Sequence, residues 1–181
     1  MAETPKTLAA LLAQLPDNTT GLISPEDIRD AVVSLFPSRG QLDLTASAQT
    51  TFAATNTWYK LAGTTALDTS LGQDCFSQAS NNELRATKAV NQVLLVTANV
   101  ELVCASNNKT FGITFAKNGT PITNIHVSAI LSDSNEGYGY SITGLIPTAQ
   151  DDTISVYVRN ETDTTAVTAS NLTLSAVGFI R

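Results

Sequence analysis

The chain has 181 residues, enough for one domain of ordinary size with a modest extension. Charged residues make up only 14% of it and the formal net charge is −6, which excludes the strongly basic surface of a nucleic-acid-binding protein. No apolar run approaches the roughly 18 residues of a membrane-spanning helix, and residues 1–6 lack the basic start of a signal peptide. We therefore expect a soluble protein with no nucleic-acid or membrane partner.

Residues 1–40 are predicted to form two short amphipathic helices. Thr4 and Ser24 are suitable N-caps, and each is followed by proline at the first helical position. The apolar residues recur with helical spacing, at Leu8, Leu11, Leu12 and Leu15 in the first helix and at Ile28, Val32, Leu35 and Phe36 in the second. Helices this short are marginal alone in water, so these eight residues need a partner surface. Three partner surfaces are open: the β domain of the same chain, the same helices in other copies, and a larger assembly.

The pattern changes near residue 57. Residues 41–56 alternate loosely and are predicted to form an extended connector with at most one strand. Residues 57–181 are predicted to form a β domain, because strand patterns follow one another at short intervals. The eight predicted strands span residues 57–61, 83–88, 92–105, 110–117, 120–131, 139–145, 153–160 and 167–180. This spacing is typical of a mainly-β antiparallel sandwich or jelly roll.

The strongest local signal is the sequence Lys117-Asn118-Gly119-Thr120. Asn-Gly supplies the two residues with positive φ that a type I′ turn requires, so we expect a tight hairpin between the strands on either side.

Two strands carry apolar residues on both faces. These are the segment Val93-Leu94-Leu95-Val96 and the end of the last strand, near Val177 and Phe179. Because only one face of a sandwich strand lies on the core, the second apolar face needs a cover. We assign that cover to self-association, with an interface formed by Leu94, Val96, Tyr157, Val177 and Phe179. The alternative is a cover formed by the protein's own loops or its N-terminal segment.

The sequence shows no arrangement that indicates catalysis, a cofactor or a metal. The one histidine, His126, occupies a polar position in an alternating strand, and no nucleophile motif or metal-ligand spacing accompanies it. The aspartates near residues 133 and 151 are typical of turns, with a calcium site as the alternative. Cys75 and Cys104 are predicted to be buried thiols, with one disulfide as the alternative. Tyr138, Tyr140 and Tyr157 are assigned to subunit contacts, with a sugar-binding surface as the alternative.

Several segments resemble the trimeric TNF-like jelly-roll heads of tailed-phage fibre and head proteins. The resemblance covers most of the chain and rests on the sequences Trp58-Tyr59-Lys60-Leu61-Ala62-Gly63, Asn108-Lys109-Thr110-Phe111-Gly112-Ile113, Ile154-Ser155-Val156-Tyr157-Val158-Arg159-Asn160 and Leu172-Thr173-Leu174-Ser175-Ala176-Val177-Gly178. Residues 8–12 and 22–30 resemble the short helical leader of such proteins. The resemblance implies a homotrimer whose leaders attach to the particle and implies no active site.

We therefore expect a non-enzymatic virion protein of a tailed bacteriophage, made in the host cytoplasm and displayed on the outer surface of the particle as a head fibre or capsid decoration. Residues 1–40 would bind the major capsid protein or another virion protein. The first alternative is a tail-fibre tip that binds a glycan or protein on the host surface. The second is a secreted trimeric ligand or lectin of the TNF or complement type.

Overall fold

The computed structural model describes residues 38–71, 75–88 and 91–180. For Leu71, Phe179 and Ile180 it describes the backbone alone. The two predicted helices, with the eight anchoring residues between Leu8 and Phe36, lie outside the described residues. The predicted connector and β domain lie almost entirely within them.

The described residues form two antiparallel sheets of six strands each. In chain order the twelve strands are β1 (Ser38–Ser47), β2 (Gln49–Thr50), β3 (Tyr59–Lys60), β4 (Gly63–Leu67), β5 (Phe76–Ser80), β6 (Glu83–Ala86), β7 (Gln92–Val103), β8 (Lys109–Lys117), β9 (Thr120–Leu131), β10 (Gly137–Thr148), β11 (Thr153–Asn160) and β12 (Val167–Ile180), with a single 3-10 turn at Thr69–Leu71. Sheet A has the order β10-β7-β12-β1-β4, and β2 also pairs with β12. Sheet B has the order β5-β6-β11-β8-β9, and β3 also pairs with β11.

The two sheets pack face to face over one apolar core. Alternate residues of each strand point inward, as the period of two along a strand requires. Sheet A contributes Leu42, Leu94, Val96, Ala98, Val100, Leu102, Ile142, Ile146, Leu172, Leu174 and Ala176, and sheet B contributes Leu84, Phe111, Ile113, Phe115, Ile154, Val156 and Val158. The mainly-β antiparallel sandwich predicted from the sequence is confirmed.

The predicted hairpin is also confirmed. Lys117 pairs with Thr120 across the turn, and the two central residues have positive φ, 50° at Asn118 and 76° at Gly119. Both values belong to a type I′ turn, which matches the twist of the strands it joins. The predicted strands 120–131, 153–160 and 167–180 have the bounds that the sequence indicated.

The segment predicted as a connector is part of sheet A. Strand β1 lies between β12 and β4, with Leu42 opposite Leu174 on one side and opposite Leu67 on the other. The sandwich therefore includes residues on the N-terminal side of the pattern change at residue 57. Strands β4 and β5 were not predicted either; both have five residues, and each buries only one of them.

Candidate self-association surface

The outer face of sheet A is defined by the residues that alternate with the core positions. In β7, Leu94 and Val96 are fully buried, so Val93, Leu95 and Thr97 point away from the core. The pairing register then fixes which residues of the neighbouring strands share this face, because directly opposite residues of an antiparallel pair point to the same side.

An apolar row crosses this face. Leu95 lies opposite Val177 of β12 and opposite Leu145 of β10. Leu145 is 65% exposed and Leu95 is 43% exposed, whereas only Ile130 is a comparably exposed large apolar residue elsewhere among the described side chains. Val93 and Pro147 are opposite each other in the next row. Exposed apolar residues that lie opposite one another on neighbouring strands are typical of a surface that another molecule covers.

A row of polar side chains, centred on the carboxylate of Asp43, lies beside the apolar row. Gln41 accepts a hydrogen bond from Ser175 Oγ at 3.1 Å and donates one to Asp43 Oδ2 at 3.0 Å. Thr173 Oγ1 also donates to Asp43, at 3.0 Å. These side chains therefore bond largely to one another, which lowers the cost of removing them from water.

Ion pairs are concentrated on the other sheet. The four described ion pairs are Lys60–Glu83, Lys109–Asp163, Lys117–Asp152 and Arg159–Glu161, with N···O distances of 2.7 to 2.8 Å. All their residues belong to strands of sheet B or to the loops next to them. Burying such pairs would cost desolvation free energy that their attraction does not fully return. The outer face of sheet A also has charged residues, Arg39, Asp43 and Glu101, but none of them forms an ion pair among the described residues, which favours sheet A as the face that another protein covers.

The pKa values of these carboxylates agree with ionised pairs. Partial burial alone would raise the pKa of Glu83, but hydrogen bonds from Lys60 and Ser80 outweigh it and lower the pKa to about 2. The pKa of Asp163 is also lowered, mainly by a hydrogen bond from Lys109. These groups stay charged throughout the neutral range, so sheet B keeps a well-solvated surface.

The structure separates the five residues that the sequence assigned to the interface. Leu94 and Val96 have no exposed surface and lie in the core, so their side chains cannot reach another copy. Tyr157 lies on the outer side of sheet B, where it alternates with the core residues Val156 and Val158. Val177 lies on the outer face of sheet A. The backbone of Phe179 pairs with Val93 on the same sheet, but the structure does not describe the side chain of Phe179.

Sequence reasoning missed Leu95 and Leu145. The apolar run around Leu95 alone does not indicate which face of β7 packs on the core, but the residues that follow it in the strand do. Ala98, Val100 and Leu102 share a face with Leu94, whereas Thr97, Asn99 and Glu101 share one with Leu95. Extending the alternation to these polar positions would have assigned Leu95 outward.

The remaining sequence-predicted residues do not form a catalytic or metal site. Tyr140 is buried and donates a hydrogen bond from its hydroxyl to the carbonyl of Ala129, so the three tyrosines do not assemble into one surface. His126 is exposed on β9. Cys75 and Cys104 are free buried thiols. Within residues 38–71, 75–88 and 91–180, no cluster of histidine, cysteine, aspartate and glutamate has metal-site geometry.

Asp151 and Asp152 lie in a turn, as the sequence predicted. Asp151 has a positive φ of 65°, and Asp152 Oδ2 accepts a hydrogen bond from the backbone N–H of Ala149 at 2.8 Å. None of the helices in the part of the chain described is long and apolar enough to cross a membrane.

Comparison with solved structures identifies the fold. The crystal structure of murine APRIL at pH 5.0 matches with a TM-score of 0.50 and 14% identity, over 77% of this chain and 98% of that one. The structure of Eiger TNF from S. frugiperda matches with a TM-score of 0.50 and 7% identity, over 77% of this chain and 91% of that one. The sandwich is therefore a TNF-like jelly roll. No protein-family model matches the sequence, and no curated protein sequence matches it.

Proposed function

We propose that the protein is a non-enzymatic structural component of a tailed-bacteriophage virion, a homotrimeric head fibre or capsid decoration protein. It is made in the host cytoplasm and displayed on the outer surface of the particle. The observation that carries the self-association is the apolar row of Leu95, Leu145 and Val177 on sheet A. The TNF-like fold is in keeping with the resemblance to phage head proteins.

The proposed trimer buries the outer face of sheet A. A fully buried leucine contributes about 1.5–3 kcal/mol relative to an exposed one, so covering Leu95 and Leu145 in every copy favours association. In a ring of three, each copy presents one patch to the next copy and a different patch to the previous one.

Attachment to the particle is assigned to the N-terminal segment. Its two predicted helices carry the apolar residues from Leu8 to Phe36, and they are too short to persist alone in water. The described chain starts at Ser38, opposite Gly178 and next to the pair formed by Arg39 and Val177. Three copies in a trimer would present three N-terminal segments to the particle together.

Light scattering on the full-length protein tests the oligomeric state. We expect a mass three times the 19.1 kDa of one chain, and a monomer or dimer would overturn the trimer. L145D places a charge in the apolar row, and we expect this variant to be monomeric. The matched control is I130D, because Ile130 is 59% exposed on sheet B and Leu145 is 65% exposed on sheet A. This control should remain trimeric.

Co-sedimentation with phage particles tests the attachment. A variant lacking residues 1–37 retains every described strand, because β1 begins at Ser38. We expect it to stay trimeric and to lose particle binding. Undiminished binding would show that the attachment site lies elsewhere.

A further inference from the structure

Trp58, the only tryptophan of the chain, lies in a cluster of side chains on the outer side of sheet B. The guanidinium carbon of Arg159, on β11, is 4.5 Å from the centre of the indole ring. The imidazole of His126, on β9, meets the indole nearly edge-on, with ring centroids 6.4 Å apart and an interplanar angle of 68°. Arg159 fixes the orientation of the indole by a cation–π contact, and the indole remains partly exposed.

A carboxylate completes the cluster. Glu161 Oε1 accepts hydrogen bonds from Arg159 Nε at 3.0 Å, from Arg159 Nη2 at 2.8 Å and from Ser128 Oγ at 2.6 Å. Gly112 makes room for this arrangement, because a Cβ there would lie 2.8 Å from Glu161 Oε1 and 2.9 Å from Ser128 Oγ. Partial burial alone would raise the pKa of Glu161, but the hydrogen bonds from Ser128 and Arg159 outweigh it and lower the pKa. Glu161 is therefore an anion at neutral pH.

The cluster has hydrogen-bonding capacity that the described part of the protein does not use. All the side-chain hydrogen bonds of Glu161 go to Oε1, which leaves Oε2 as an acceptor. His126 Nδ1 is 2.8 Å from the carbonyl oxygen of Thr123, so Nδ1 carries the proton and Nε2 is left as an acceptor in the neutral ring. The indole N–H of Trp58 and Arg159 Nη1 donate to no group among the described residues. Unused donors and acceptors thus belong to the indole, to the two side chains that contact it and to the carboxylate that pairs with Arg159.

We propose that Trp58, His126, Arg159 and Glu161 bind a neutral sugar residue of a polysaccharide. A pyranose has an apolar C–H face that packs on an aromatic ring, and its adjacent hydroxyls both donate and accept hydrogen bonds. The ionised pair of Arg159 and Glu161 contributes no net charge, which favours a neutral sugar over an anionic one. This inference stands apart from the virion role, because the cluster belongs to one chain and lies on the sheet that self-association leaves uncovered.

Titration of the full-length protein with methyl α-glycosides of glucose, galactose, mannose and rhamnose tests the proposal. Fluorescence reports on the site directly, because Trp58 is the only tryptophan. We expect at least one glycoside to produce a saturable change. W58A, followed by ligand-detected NMR, should weaken binding at least about tenfold. No saturable response to any of the four sugars, or equal binding by W58A, would overturn the site. Tighter binding of sialic acid would overturn its preference for neutral sugars.

The variants E161Q and E83Q separate recognition from stability. Both glutamates pair with a cation on sheet B, and their side chains are similarly exposed, 23% for Glu161 and 22% for Glu83. Glu83 pairs with Lys60, whereas Glu161 pairs with the arginine that contacts Trp58. We expect E161Q to lose sugar binding and E83Q to keep it, with similar thermal stabilities. Loss of binding in both variants, or in neither, would contradict the role of Glu161.

Discussion

Leu94 and Leu95 are neighbours in β7, but Leu94 points into the core and Leu95 points away from it. Replacing each of them by alanine is the sharpest test of this assignment. Leu94 has no exposed surface, whereas 43% of Leu95 is exposed in the single chain. Replacing a fully buried leucine by alanine typically costs about 2–5 kcal/mol, because apolar contacts are lost and a cavity remains. Leu94→Ala should therefore lower the free energy of unfolding by about 3 kcal/mol. Leu95→Ala should lower that of the isolated chain by less than about 1 kcal/mol.

Urea unfolding measures the difference. With a denaturant slope of about 2 kcal/mol per molar, Leu94→Ala should move the midpoint down by about 1.5 M at every protein concentration. Leu95→Ala should act differently, because its cost comes from lost association. At low protein concentration its urea midpoint should be close to that of the unmodified protein. As the concentration rises, the midpoint of the unmodified protein should increase more than that of the variant. If Leu95→Ala were the more damaging change at low concentration, the inward and outward assignment of β7 would be refuted.

Two further predictions concern a glycine and an ion pair. Gly40→Ala should cost about 1–3 kcal/mol, because its Cβ would lie 2.6 Å from a ring carbon of the buried Phe76. Gly139→Ala, whose Cβ would meet nothing within 4 Å, should be neutral, and equal thermal melts for the two variants would contradict this packing. Glu83 has a pKa of about 2, below its ordinary value of 4.5, so its pairing with Lys60 stabilises the fold above about pH 4.5 and is lost as pH falls towards 2. Glu83→Gln should therefore cost up to about 1 kcal/mol at pH 7 and almost nothing near pH 2, and a cost that does not change with pH would contradict the pairing.

Strands with a complete local signal were predictable from the sequence. The hairpin at Asn118 and Gly119 follows from the two positive φ values that its turn requires. Strand β11 follows from the alternation of Ile154, Val156 and Val158 with polar residues. In both cases the information lies within a few residues, so no knowledge of the tertiary structure is needed.

Strand β1 was predicted only in part, as the one strand allowed within an extended connector, because its first inward positions do not carry large apolar residues. Two of them are Ser38 and Gly40, which do not look like core residues. Gly40 faces the core because the ring of Phe76 fills the space where its side chain would be. A strand with small residues such as serine and glycine at inward positions shows no apolar alternation there.

The residues assigned to the interface do not share one surface, for a related reason. The sequence correctly indicated that β7 and β12 are apolar on both faces, but it could not tell which sheet a strand joins. Tyr157 and Val177 both occupy outward positions, yet β11 belongs to sheet B and β12 to sheet A. Sheet membership follows from pairing between segments far apart in sequence, which local patterns do not record.

The distribution of charge connects the two proposals. All the described ion pairs lie on or beside sheet B, and the two exposed leucines that face each other lie on sheet A. Because buried ion pairs lose more hydration than apolar groups do, association through sheet A is the less costly arrangement. That arrangement leaves Trp58 and its polar neighbours in contact with solvent in every copy. In the proposed trimer, three identical sugar sites would act together on a repetitive polysaccharide, so that weak affinity for a single sugar residue becomes stronger binding to the polymer.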